Sequence, residues 1–142
     1  MTAPDDPLLE LATTLDRLTS WIRRHSAPSP LSMTARTTLS RLDEQGPTPL
    51  GELATQEGIS QPAMTGLVNR LEGLGLTARE PDPDDRRVSR ILLTDAGRAL
   101  IAERRSQRAR TLAEHLQRLS PADQQALVAA LPALHHLTQD VS

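Results

Sequence analysis

The chain has 142 residues, enough for one domain or one subunit of an assembly, and a net charge of −2. It contains no cysteine, which excludes disulfides, thiolate metal sites and cysteine-based redox sensing. Trp21 is the sole Trp, Tyr or Phe, so the core must be leucine and alanine, and stacking platforms for single-stranded nucleic acid are missing.

No apolar run approaches the ~20 residues of a membrane span. The acidic N-terminus has no signal-peptide pattern, so a cytoplasmic location is expected. Met1 to Pro7 is polar and proline-bearing and is expected to fray. From there Leu8, Leu11, Leu15, Leu18 and Ile22 recur in alternating steps of three and four, a narrow seam of the kind that faces a partner helix. Burial within its own subunit would satisfy the same pattern. A similar leucine stripe at the C-terminus favours an intersubunit seam.

Residues 25–30 read as a loop from their prolines and serines. Ser32 or Thr34 opens the next helix, which runs to Gln45 with Leu39 and Leu42 inward and stops at Gly46-Pro47. Arg36 and Arg41 on it read as solvated. Thr48 is placed to cap a third helix with Pro49 at its first position, and Leu50, Leu53 and Ala54 share one face. Gly58 ends that helix and Ile59 plugs the corner. Ser60 caps a fourth helix near Pro62, with Met64, Leu67, Val68 and Leu71 inward. Gln61, Ala63, Thr65, Gly66, Asn69 and Arg70 are left outward, and Gly73 and Gly75 close the helix. Two short helices around a glycine turn, the second with a polar face, describe a helix-turn-helix. An ordinary helical hairpin would share those features.

The residues that follow distinguish the two. Leu76–Glu80 reads as a strand, 81–87 as a charged turn with Arg86 and Arg87 near its tip, and Val88–Leu93 as a second strand. A hairpin directly after the second helix is a wing. Thr94-Asp95 then caps a long helix reaching about Leu119, with Leu100, Ile101, Leu112, Leu116 and Leu119 as its buried parts. Its stretch 103–110 is polar nearly all round, as in a stem that bridges two packed regions. The other use of those arginines would be phosphate contact. Ser120-Pro121 opens a last helix with Leu127, Leu131 and Leu134 as its stripe, beside Ala126 and Ala130. Pro132 must kink or interrupt it, having no N–H to offer the carbonyl of Val128.

Charge is unevenly placed. From Arg70 to Arg110 ten arginines stand against seven acids, a local +3 that leaves −5 for the rest of the chain. The basic side coincides with the second helix, the wing and the start of the long helix, as a DNA footprint would. Of the histidines, His25, His115, His135 and His136, the adjacent pair points to different helix faces, and none has the i, i+4 spacing of a zinc helix. All four read as solvent-exposed, and no metal is expected. Asp84 and Asp85 stand on a solvated turn rather than in a cleft, and no phosphate loop, dinucleotide fingerprint or nucleophile elbow occurs, so no enzyme and no cofactor is expected.

The stretch PLGELATQEGISQPAMTGLVNRLEGLGL, the wing REPDPDDRRVSRILLT and Asp95-Ala96-Gly97 after it resemble the MarR family of winged-helix transcriptional regulators. The resemblance implies a mainly α fold with a small β-hairpin wing. Residues 1–30 would supply an N-terminal dimerisation helix and loop, 31–94 the DNA-binding lobe, and 95–142 the long linking helix and a C-terminal dimerisation helix. It implies a homodimer through Leu8, Leu11, Leu15, Leu18, Leu127, Leu131 and Leu134. Recognition helices would then lie in successive major grooves of a pseudo-palindromic double-stranded operator, about 34 Å apart. Positions matching the family's DNA contacts are Ser60, Gln61, Pro62, Ala63, Thr65, Asn69 and Arg70 on the helix, and Asp85, Arg86 and Arg87 in the wing. The family's wing arginine enters the minor groove, and an aspartate two residues earlier steadies it. Gly66 departs from the family, where a longer polar or basic side chain is usual. Groove shape would then supply more of the specificity. The family usually represses transcription and is released by a small molecule bound between the lobes, where Trp21, His25 and Met33 are the distinctive side chains. A winged helix that docks a protein instead of DNA is the alternative.

Overall fold

The computed structural model describes residues 6–26 and 28–139. Most of the segment expected to fray, Met1–Asp5, lies outside them. Among the described residues the chain is mainly helical with a small three-stranded antiparallel sheet. Two compact units result. Pro28–Ser106 forms one, and the first helix together with the chain from Gln107 onward forms the other.

In the first unit, α2 (Met33–Gln45) starts at Ser32, whose hydroxyl accepts from the Ala35 N–H. The expected helix start at Thr48-Pro49 is instead a strand, β1 (Thr48–Pro49), and α3 (Leu50–Glu57) begins after it. A residue before proline is pushed toward extended backbone, and Thr48 there pairs with Ile91 of β3. Its hydroxyl is spent on the Gly46 carbonyl at 3.0 Å, so it caps nothing. Gly58 ends α3 in the left-handed region, and the Ile59 N–H reaches back to the Ala54 carbonyl. This turn aims α4 (Gln61–Gly73), which starts at Ser60. At its far end Gly75, with φ of 73°, lets the Leu76 N–H return to the Leu71 carbonyl.

The wing strands, β2 (Thr77–Pro81) and β3 (Ser89–Leu93), are each a residue later at the start than expected. Leu76 is still closing α4, and Val88 belongs to the turn, donating to the Asp85 carbonyl and accepting from the Asp82 N–H. The sheet order is β1-β3-β2, so the wing is rooted on the segment that leads into α3.

The core gathers Leu39 and Leu42 of α2, Leu53 of α3, Met64, Val68 and Leu71 of α4, and Ile91 and Leu93 of β3. At 1.5–3 kcal/mol per buried aliphatic side chain, roughly, this cluster sets the angle between α3 and α4. Arg41, expected to be solvated, instead bonds Glu57 at 2.9 Å, and that carboxylate also accepts from Thr37 at 2.6 Å. Glu57 is nearly buried, with 8% of its side chain exposed, so the half-buried Arg41 ties α2 to α3.

The first turns of α5 (Asp95–Leu116) close the unit. Thr94 caps it, accepting from the Gly97 N–H at 3.1 Å and donating to the Gly75 carbonyl at 2.6 Å. A Cβ on Gly97 would collide with the Leu76 carbonyl and stand 2.6 Å from Leu93 Cδ1, so glycine is what lets α5 start this close to the wing. Ile101 completes the core, and Arg105 pairs with Asp43 at 3.1 Å.

In the second unit, α1 (Pro7–His25) is capped by Asp6 and carries Arg23, Arg24 and His25 in its last turn, where they suit the helix dipole. α5 ends at Leu116, short of Leu119, because the backbone tightens through Arg118 and Leu119 into the turn before Ser120. Pro132 splits the last helix rather than kinking it, giving α6 (Pro121–Ala129) and α7 (Leu131–Gln139). Contrary to the burial expected for them, Leu116 and Leu119 are exposed in the single chain, and Leu112 is half-buried. No residue of α1, α6 or α7 is buried in it either.

Candidate nucleic-acid interface

The outward face of α4 holds the residues that sequence reasoning assigned to DNA. Ser60, Gln61, Pro62, Ala63, Gly66, Asn69 and Arg70 are exposed, and Thr65 is half-buried. The Ser60 hydroxyl accepts from the Ala63 N–H at 3.3 Å, and the Thr65 hydroxyl donates to the Gln61 carbonyl at 3.0 Å. Both oxygens keep acceptor capacity toward a ligand. The Gln61 amide folds back over α3, with Nε2 3.0 Å from where a Gly51 Cβ would stand. Gly66 faces open space, with nothing within 4 Å of its would-be Cβ, so packing does not require glycine there. Arg70 forms no ion pair with any described residue, leaving its charge available.

In the wing, Asp82 shapes the turn by accepting from the N–H groups of Asp84 and Asp85, at 2.8 and 3.2 Å. Asp85 in turn holds Arg87: its Oδ1 accepts from the Arg87 N–H at 3.0 Å and from Nε at 3.1 Å. Arg87 nonetheless keeps 91% of its side chain exposed, so it is aimed rather than buried. The Arg87 side chain, and then its backbone N–H, hold the Asp85 carboxyl below the ordinary aspartate range, against a small opposing effect of burial. Arg86, beside it, is exposed and forms no ion pair with any described residue.

Two arginines of the wing strands were not picked out from the sequence. Arg90 of β3 bonds Glu80, its direct cross-strand neighbour, at 2.7 Å and lies 3.8 Å from Asp82, which braces the base of the wing. Arg79 of β2 donates to Asn69 Oδ1 at 2.8 Å and approaches Glu72 at 3.6 Å, joining the wing to α4. The acids of the first half of the hairpin, Glu80 to Asp85, standing opposite the arginines of its second half, Arg86 to Arg90, are the signal that could have pointed to the first; nothing in the sequence indicated the second.

In the other unit, Trp21 stacks on His25 at 4.3 Å and meets His115 edge-on at 4.7 Å. His115 is therefore half-buried rather than solvent-exposed, because it packs on the chain's only indole. Each imidazole sets Nδ1 against a carbonyl one turn back, His25 on Trp21 and His115 on Thr111. Met33, on α2, is exposed. Among the described residues, no three His, Asp or Glu side chains stand close enough to hold a metal ion.

A glycine-turned helix pair, an exposed second helix and an arginine-bearing hairpin rooted on one sheet define a winged helix-turn-helix. Residues 31–89 match the profile of the MarR family. A helix-turn-helix-type transcriptional regulator of Mycobacterium leprae is 30% identical over 111 residues, covering 78% of this chain and 78% of its own. A transcriptional regulator of Thermotoga maritima has the same fold, with a TM-score of 0.80 at 22% identity over 93% of this chain and 96% of that one. BpsR of Bordetella bronchiseptica, whose DNA binding is regulated by 6-hydroxynicotinic acid, has a TM-score of 0.55 at 25% identity over 95% and 96%. The chain belongs to the MarR family and is a helix-turn-helix transcriptional regulator, not an enzyme. Regulators of this family bind DNA.

Proposed function

We infer that the chain acts as a homodimer on a pseudo-palindromic duplex operator, represses transcription from it, and releases it when a small molecule binds. The observation that carries the DNA contact is the wing pair. An exposed guanidinium held by Asp85 stands on the same unit as the open face of α4. Ser60, Gln61, Pro62, Ala63, Thr65, Asn69 and Arg70 would meet the major groove, Arg87 the minor groove, and Arg86 a phosphate. Asp85 would orient Arg87 without touching DNA.

Dimerisation is supported by leucines left without cover. Leu8, Leu11, Leu18, Leu127 and Leu131 are exposed in the single chain, and Leu15 and Leu134 are half-buried. Exposed leucine in such numbers on three helices is what a partner's matching helices would remove from water. Regulation by a small molecule is supported by BpsR, whose ligand control occurs on a similar chain. No described helix is long and apolar enough to cross a membrane, and a cytoplasmic location suits a protein that works on DNA.

A gel shift against the duplex upstream of the chain's own reading frame tests this. A retarded band displaced by specific competitor supports the reading. No shift with that duplex, and none with duplexes selected from a random pool, would point instead to a winged helix that docks a protein.

A further inference from the structure

Arg79 leaves β2 and lays its guanidinium along α4. Its Nη2 donates to Asn69 Oδ1 at 2.8 Å, and its Nε stands 3.6 Å from Glu72 Oε2. Asn69 and Glu72 lie one helical turn apart, so a single side chain from the wing engages two successive positions of the helix. Arginine carries five N–H donors and no acceptor. The Asn69 atom that faces it must therefore be oxygen, and the orientation of the amide follows from chemistry alone. A free asparagine can turn over and offer either its donor or its acceptor to a ligand. This one cannot turn without losing the bond to Arg79 and setting its own N–H groups against a cation.

Resting on the DNA-binding reading above, we propose that Arg79 is a positioning residue for DNA recognition, fixing the Asn69 amide so that its Nδ2–H group donates to an acceptor atom of DNA. The acceptor is a base edge, such as guanine O6 or N7 or thymine O4, or a phosphate oxygen. A cytosine amino group, itself a donor, is refused at that position. Arg79 is partly neutralised by Glu72 and turned toward the helix, so it does not itself count among the phosphate ligands.

The test is a double-mutant cycle on the full chain with Arg79→Met and Asn69→Ala, using a duplex that the wild-type chain selects from a random-sequence pool. Methionine keeps an unbranched stem, and both positions are exposed, so melting temperatures should stay near wild type. Each single variant should weaken binding about fivefold to a hundredfold, from one hydrogen bond in each of two subunits. The double variant should be no weaker than Asn69→Ala alone, and the slope of log affinity against log salt should not change. A repeated selection with Arg79→Met separates the two acceptors. Relaxed preference at one base position identifies a base edge, and unchanged preference identifies a phosphate oxygen. Additive losses, a salt slope shallower by about one per arginine removed, or wild-type binding by Arg79→Met would each overturn the proposal. Failure of the wild-type chain to select any duplex would overturn the DNA-binding reading itself, and this proposal with it.

Discussion

Arg87 is the residue on which DNA binding should depend most sharply. It is almost fully exposed, so Arg87→Ala removes little packing and should leave the melting temperature unchanged. At ~1–3 kcal/mol for each groove arginine, two per dimer, operator affinity should fall roughly thirty-fold to ten-thousand-fold. Fluorescence anisotropy with a labelled duplex reads this directly. Wild-type affinity for Arg87→Ala together with failure of Arg86→Ala would place the groove residue one position earlier. Asp85 gives a second handle. Its carboxyl is held below the ordinary aspartate value, chiefly by the Arg87 side chain. A lowered value means that the stabilisation is complete above the ordinary aspartate range and is lost as pH falls through the folded value. In a carboxyl NMR titration Asp85 should protonate at lower pH than an unpaired aspartate, and Arg87→Ala should move it back up. An unchanged Asp85 titration in that variant would mean that the pair does not persist in solution. The Asp85–Arg87 pair was legible in the sequence because two residues in one tight turn must lie close together. The Asn69–Arg79 bond was not, since it depends on how a strand leaves the helix ten residues earlier.

Among the elements, the two glycine-ended helices and their inward faces were readable from spacing alone, and the hydrophobic core follows that pattern residue by residue. Thr48-Pro49 misled because the same dipeptide suits a helix start and an extended strand. Only the presence of β3 beside it decides, and that pairing joins residues some forty apart. Arg41 misled in the same way, since its partner Glu57 lies on another helix. Arg41→Ala should leave a nearly buried carboxylate with only Thr37 and cost about 1–3 kcal/mol in urea unfolding. An unaltered midpoint would mean that the pair is no more than a surface contact. Gly97 belongs here too, because its role is the approach of α5 to the wing. Gly97→Ala should force α5 outward, at a cost of about 1–3 kcal/mol, and lower the melting temperature by several degrees. A variant as stable as wild type would show that α5 can shift without penalty.

At the scale of the whole molecule, the leucine seams argue for two chains. Pro132 could be placed as a disruption from the sequence, whereas its outcome, two short helices, depends on where the chain must turn. The face that α1, α6 and α7 leave uncovered is legible in a single chain only as excess apolar surface. Leu15→Asp should convert dimers to monomers or insoluble chains in sedimentation velocity. An unaltered dimer would mean that the seam faces its own subunit. The basic excess between Arg70 and Arg110, set in a chain of net charge −2, implies that DNA affinity comes from local phosphate neutralisation rather than overall attraction. The salt dependence of binding to a selected duplex therefore tests the central claim most directly. If the dimer neutralises about eight phosphates, log affinity should fall with log salt at a slope near −7. A slope shallower than about −2 would contradict it, because so few phosphates could not hold a duplex across two grooves.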